Sequence, residues 1–115
     1  MGDLYELQSK IIAFRDARDW KQFHNPKDMG ISLVLEASEF LEHFQWKSKD
    51  EVDAYVKTNK HTISEELADT LYWILLIAHD LEIDLKEALI KKLESNEKKY
   101  SIEKAKGNHK KYTEL

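Results

Sequence analysis

The sequence predicts an all-α fold, a bundle of four to five helices, and three observations carry that prediction. Apolar residues recur at a period near 3.6 through most of the chain. Three Gly and one Pro are too little punctuation for a fold rich in tight turns, and runs of β-favouring residues bounded by turn residues are lacking. Helix-opening signals recur along the chain, at Asp3, Asn25-Pro26, Ser48, Thr62 and Asp84.

Asp3, with Glu6 three residues on, caps a first helix running to about Arg18, whose apolar stripe is Leu4, Leu7, Ile11 and Phe14. The connector over 19–25 is unusually aromatic, with Trp20 and Phe23 beside His24. Asn25 followed by Pro26 is a cap plus first-turn proline, opening a second helix to about Trp46. Its stripe is Met29, Leu33, Ala37, Phe40, Leu41 and Phe44. Ser48 and Glu51 form a capping box for a short helix to about Lys57. Thr62 and Glu65 open a fourth helix to about Leu81, apolar nearly all round and therefore central or set against another subunit. Asp84 and Glu87 cap a fifth, with Leu85, Ala88, Leu89, Leu93 and Tyr100 on one side. One domain over 1–100 is expected, followed by a polar, lysine-rich tail over 101–115.

With no Cys, disulfides and thiolate metal sites are excluded, so any metal seat must be built from carboxylates, His or carbonyl oxygens. No signal-type N-terminus is present, and the longest apolar run, Leu71 to Ala78, is far short of the ~20 residues that span a bilayer. A cytoplasmic protein with no membrane partner is the expectation. Net charge is −4 and unevenly spread: residues 86–115 hold nine Lys and five Glu. Overall negative charge with lysines confined to one end argues against nucleic acid as a partner.

Ten of the 22 acidic residues lie in two stretches, 28–46 and 61–85, without a single Lys or Arg. Within them sit Glu36-x-x-Glu39 and Glu66-x-x-Asp69, each in mostly apolar sequence. Acidic pairs at this spacing are common in so charged a chain, eight in all, and a solvated face or a cap explains most of them. Context singles these two out, since Asp69 is the only charge between Leu67 and Ala78. Residues three apart share a helix face, so side-by-side packing of helices two and four brings four carboxylates together. Such a cluster repels itself unless protons or cations bind. All-oxygen donors favour a hard cation, Mg²⁺ or Mn²⁺, whose remaining ligand positions suit phosphate oxygens. Lys92, Asn96 and Lys99 share one face of helix five with Tyr100 beside them, a phosphate-facing set or a solvated lysine face. Trp20, Trp46 and Trp73 can line a mouth or belong to the core. The five His are scattered and read as surface or packing residues.

The ordered set resembles the MazG-like, all-α nucleoside triphosphate pyrophosphohydrolases, in particular their short dCTP-pyrophosphatase-like branch. The pieces are Arg15-Asp16-Ala17-Arg18-Asp19-Trp20-Lys21-Gln22-Phe23-His24, Glu36-x-x-Glu39 leading to Phe44-Gln45-Trp46, Glu65-Glu66-Leu67-Ala68-Asp69, the Lys92…Asn96…Lys99-Tyr100 series, and Lys111-Tyr112-Thr113-Glu114-Leu115. The resemblance implies Mg²⁺ held by Glu36, Glu39, Glu66 and Asp69, and a base enclosed by Trp20, Trp46 and Trp73. It also implies Lys92, Asn96 and Tyr100 near the phosphates, cleavage of the α–β anhydride to a monophosphate and pyrophosphate, and a homodimer or homotetramer. Glu39, with Glu36, is the expected catalytic carboxylate. The chain departs from the pattern at Leu35, where broader relatives double the first glutamate, and at Ser101, where proline is usual. Trp73 stands where the dCTP-specific animal enzymes carry Tyr, and Ile11 where they carry a base-side histidine. The expected substrate is a canonical or modified (d)NTP. Two alternatives stand beside it: another nucleotide such as dUTP or a phosphoribosyl nucleotide, and a non-catalytic helical partner-binding module.

Overall fold

A computed structural model describes residues 2–115. Six helices follow one another: α1 Asp3–Asp16, α2 Pro26–Glu42, α3 Lys49–Thr58, α4 Lys60–Asp80, α5 Leu85–Lys99 and the single-turn α6 Ile102–Ala105. Short 3₁₀ turns occupy Lys21–Phe23 and Tyr112–Glu114, and no strand forms among the described residues. Among them, too, no helix is long and apolar enough to cross a membrane.

The chain forms two compact units, one closing at Glu82 and one spanning Ile83–Leu115. In the first, α4 is the central element and touches α1, α2 and α3. Its near-continuous apolar circumference makes this position favourable, because a helix with no polar face must be covered on several sides. Ile63, Leu75, Leu76 and Ala78 of α4 are buried together with Met29 of α2. Two polar clamps tie α1 to α4: Gln8 Nε2 donates to the Leu75 carbonyl at 2.8 Å, and Arg15 Nη1 donates to Asp80 Oδ2 at 2.7 Å. Arg15 is 1% exposed, and its charge is held by Asp80 and, more loosely, by Asp16 at 3.4 Å. Asp80 pushes the Arg15 guanidinium pKa upward, against the opposing effect of burial.

Three of the five expected caps form. Asn25 Oδ1 accepts the Asp28 N–H, Ser48 and Glu51 make a reciprocal capping box, and Asp84 Oδ1 accepts the Glu87 N–H. Four predicted boundaries shift. Gly2, not Asp3, is the N-cap of α1, with Asp3 in its first turn, and the helix ends at Asp16 because Asp19 turns left-handed at φ 56°. Helix α4 starts at Lys60 rather than Thr62. Asn59 ends α3 and begins α4, so the two helices share one residue as cap, and its side-chain amide donates to the Tyr55 carbonyl. Helix α2 ends at Glu42, four residues before Trp46, where the Phe44 and Lys47 N–H groups tighten to bonds three residues back and Lys47 Nζ caps the His43 carbonyl at 2.6 Å.

In the second unit, α5 closes with the Tyr100 N–H bonded to the Asn96 carbonyl at 2.8 Å. The Tyr100 and Tyr112 rings meet edge to face at 6.0 Å, and Lys99 Nζ lies 4.8 Å over the Tyr112 ring. Gly107 takes φ +74° in the turn after α6, a conformation that glycine adopts at little cost.

Candidate functional site

Glu36 and Glu39 project from one face of α2, and Glu66 projects from α4. Packing of α2 against α4 brings one oxygen of each within 4.8 Å of the others. Glu36 and Glu66 are half-buried and Glu39 is exposed, so the cluster is a seat at the rim of the helix pair and reachable from solvent. Glu36 Oε2 is buried and accepts no hydrogen bond from the protein. Three converging carboxylates, one with an orphaned lone pair, are a donor set that fits a hard divalent cation.

The charges strain one another. Burial first, then the charges of Glu39 and Asp69, raise the Glu36 pKa above the usual carboxylate range. A hydrogen bond shared with Glu39 is the largest cause of the raised Glu66 pKa, followed by burial and the Glu39 charge, while His43 acts in the opposite sense. A carboxyl raised above its unfolded value binds its proton more tightly when folded. Stability from this source is therefore highest at low pH and falls as pH climbs from the unfolded value through the folded one. In EDTA, the Glu36→Gln variant is accordingly expected to melt above wild type at pH 7.5. The gap should close toward about pH 4, near the unfolded carboxyl value; a pH-independent difference in Tm would contradict the repulsion.

The sequence reading gave the acidic stretches no local cation. The structure places a polar partner there: His43 Nε2 lies 3.7 Å from Glu66 Oε1, and its Nδ1 is 2.6 Å from the Tyr55 hydroxyl. The sequence marks His43 only as a surface or packing residue, because nothing in the one-dimensional pattern shows Tyr55 of α3 arriving beside it.

Asp69, the fourth predicted ligand, is exposed and falls outside the close triad, although its charge reaches Glu36 and Glu66. It lines instead a cavity of about 500 Å³ whose walls are Trp20, Trp73, Tyr72 and Phe14, with Ile11 and Lys10 completing the lining. Asp69 thus touches the cavity and the electrostatic field of the triad alike. The aromatic walls are braced edge to face: Phe14 on Trp20 at 5.7 Å, Phe14 on Tyr72 at 6.4 Å, and Tyr72 on Trp73 at 5.2 Å. Behind Trp73 stands His24 at 5.3 Å. Burial, together with the nearby Arg15 charge, lowers the His24 pKa and favours the neutral ring. Burial likewise raises the Tyr72 hydroxyl pKa and keeps it a neutral donor. Arg18 lies 3.7 Å over the outer face of Phe14. No sequence pattern marks Lys10; it precedes Ile11 on α1, and only the fold brings it to this wall.

Trp46 stands apart. It is 91% exposed, adopts φ 70° and is not part of the cavity lining. The three residues that the resemblance sets near the phosphates belong to the second unit: Lys92 is exposed, Asn96 half-buried, and Tyr100 37% exposed.

Similarity to known proteins extends over most of the chain. The profile of the MazG-like family matches residues 31–115. The dCTP pyrophosphatase 1 of Mus musculus is 36% identical over 102 residues, covering 87% of this chain and 58% of its own length, so the chain spans less than two thirds of that relative. The dCTP pyrophosphatase 1 of Homo sapiens is 35% identical over 117 residues, covering 100% of this chain and 67% of its own. The crystal structure of a pyrophosphatase from Archaeoglobus fulgidus DSM 4304 matches with a TM-score of 0.83 at 37% identity, covering 88% of this chain and 94% of that one.

Proposed function

The chain belongs to the MazG-like family, and from that premise we propose that it is a Mg²⁺-dependent nucleoside triphosphate pyrophosphohydrolase, cleaving a (d)NTP to the (d)NMP and pyrophosphate. The observation that carries the reading is the Glu36–Glu39–Glu66 triad beside an aromatic cavity. Glu36, Glu39 and Glu66, with Asp69 at the border of the cavity, are the proposed ligands. Bound there, Mg²⁺ or Mn²⁺ would supply the positive charge that offsets the phosphate oxygens. Trp20 and Trp73 offer π faces to a base, a contact that contributes about 1–3 kcal/mol per stacked base. Trp46 is assigned to the base, and Lys92, Asn96 and Tyr100 to the phosphates, through family likeness alone. Glu39 is the most solvent-accessible carboxylate of the triad and is the proposed acceptor of the proton from attacking water. Phosphoryl transfer needs little else from the protein beyond positioning and charge.

The dCTP pyrophosphatase 1 relatives favour dCTP among the proposed substrates, beside a modified dNTP. Action in the cytoplasm, as a homodimer or homotetramer, completes the proposal. Ile31, Val34 and Leu35 of α2 and Leu67 and Leu71 of α4 remain exposed, which supports a neighbouring copy covering that apolar surface.

Incubation with a panel of dNTPs and NTPs, in Mg²⁺ and in EDTA, tests the reading. Monophosphate plus pyrophosphate in Mg²⁺ alone is the expected result, with the rank order giving the base preference. Turnover confined to dUTP or a phosphoribosyl nucleotide would redirect the substrate assignment. Orthophosphate as the product would overturn the bond assignment. No turnover at all would favour a helical partner-binding module.

A further inference from the structure

Beside the carboxylate triad lies a polar pair contributed by the end of α2 and by α3. His43, just past α2, has its side chain 12% exposed, with Nδ1 2.6 Å from the Tyr55 hydroxyl and Nε2 3.7 Å from Glu66 Oε1. The Tyr55 ring is itself held in place: Lys47 Nζ lies 4.5 Å over its face, and the Phe44 ring meets it edge to face at 6.2 Å. Lys47 also donates to the His43 carbonyl, so one side chain fixes both members of the pair.

A neutral imidazole carries one donor and one acceptor nitrogen. If Nδ1 carried the proton, Nε2 would present a lone pair to the lone pairs of Glu66. If the phenol donates to Nδ1, the proton sits on Nε2 and an N–H faces the carboxylate. Of the two neutral forms, only the second is favourable at both ends. We propose that Tyr55 and His43 form a positioning pair: the Tyr55 hydroxyl fixes the Nε2–H tautomer of His43, which in turn orients Glu66 toward the cation seat and leaves its other oxygen free to ligate.

The contact between His43 and Glu66 is longer than a hydrogen bond, so the hold is electrostatic and directional, not a tight clamp. Partners that orient a ligating side chain from behind typically change metal affinity by about 10–100-fold when removed. His43 touches Glu66 and is absent from the triad that converges within 4.8 Å, which marks it as a positioning residue and not a ligand. The inference rests on the metal reading above, and its test separates the two.

The experiment measures Mn²⁺ binding by electron paramagnetic resonance on full-length wild type and on His43→Leu, His43→Gln and Tyr55→Phe, with ¹⁵N shifts of the His43 ring recorded in EDTA. Wild type is expected to carry the proton on Nε2. His43→Leu is expected to bind Mn²⁺ about tenfold more weakly, and His43→Gln, whose amide can still donate, to recover most of the loss. Tyr55→Phe keeps the ring packing and is expected to mix the tautomers and weaken Mn²⁺ by less than His43→Leu. A proton on Nδ1 in wild type would overturn the proposal, as would unchanged Mn²⁺ affinity in His43→Leu and Tyr55→Phe. Absence of saturable Mn²⁺ binding by wild type would overturn the metal reading and this inference with it. Tm values in EDTA identify a variant that has lost its fold, in which case His43→Gln and Tyr55→Phe decide.

Discussion

Glu36→Gln is expected to reduce turnover by at least about 100-fold while making the cation-free protein more stable. The two effects come from one side chain. A cation offsetting phosphate charge contributes several kcal/mol to the transition state, and each 1.36 kcal/mol is a factor of ten in rate. Removing a ligand charge therefore forfeits two or more such factors. The same charge is a burden without a cation, because Glu36 is half-buried among Glu39, Glu66 and Asp69 and one of its oxygens has no hydrogen-bond partner. Glutamine is nearly isosteric and neutral, so it relieves that burden. Steady-state kinetics in Mg²⁺ and thermal melts in EDTA check both halves. A variant that lost activity and stability together would indicate a structural role for Glu36, and full activity would remove it from the machinery.

The second large effect is on folding. Asp80→Ala strands Arg15, a guanidinium 1% exposed that donates to Asp80 Oδ2 at 2.7 Å. Breaking a buried pair from one side costs about 3–5 kcal/mol, and the lower end applies because the Asp80 side chain retains 15% exposure. That is a large share of the stability of a small domain. Arg15→Met with Asp80→Leu removes both charges and is expected to return much of the loss. Urea denaturation of the two variants measures the difference. Wild-type stability of the single variant would mean that Asp16, 3.4 Å from Arg15 Nε, suffices as counter-ion.

Features encoded by neighbours in sequence were readable before the fold. Asn25-Pro26, Ser48 with Glu51, and Asp84 with Glu87 cap their helices because a cap is settled within four residues. The convergence of Glu36, Glu39 and Glu66 was readable too, since two i, i+3 pairs in basic-free stretches need only one helix packing to meet. Pairings across long separations were not. Arg15 and Asp80 lie 65 residues apart, and neither carries a local sign of its partner. His43 and Tyr55 sit on different elements, and their meeting depends on the turn after α2. That turn also defeats periodicity, because Phe44 continues the apolar stripe of α2 although the helix has ended at Glu42.

The solvent-facing indole at position 46 stands apart from the two tryptophans that line the cavity. Trp46, 91% exposed, is expected to emit as a water-relaxed ring, whereas Trp20, 43% exposed, and Trp73 share the walls of one cavity. Its left-handed backbone at φ 70° is a conformation that glycine or asparagine takes more easily than tryptophan. A chain with Asn at position 46 would carry both remaining tryptophans in the cavity. Its emission would then report the filling of that chamber without a label.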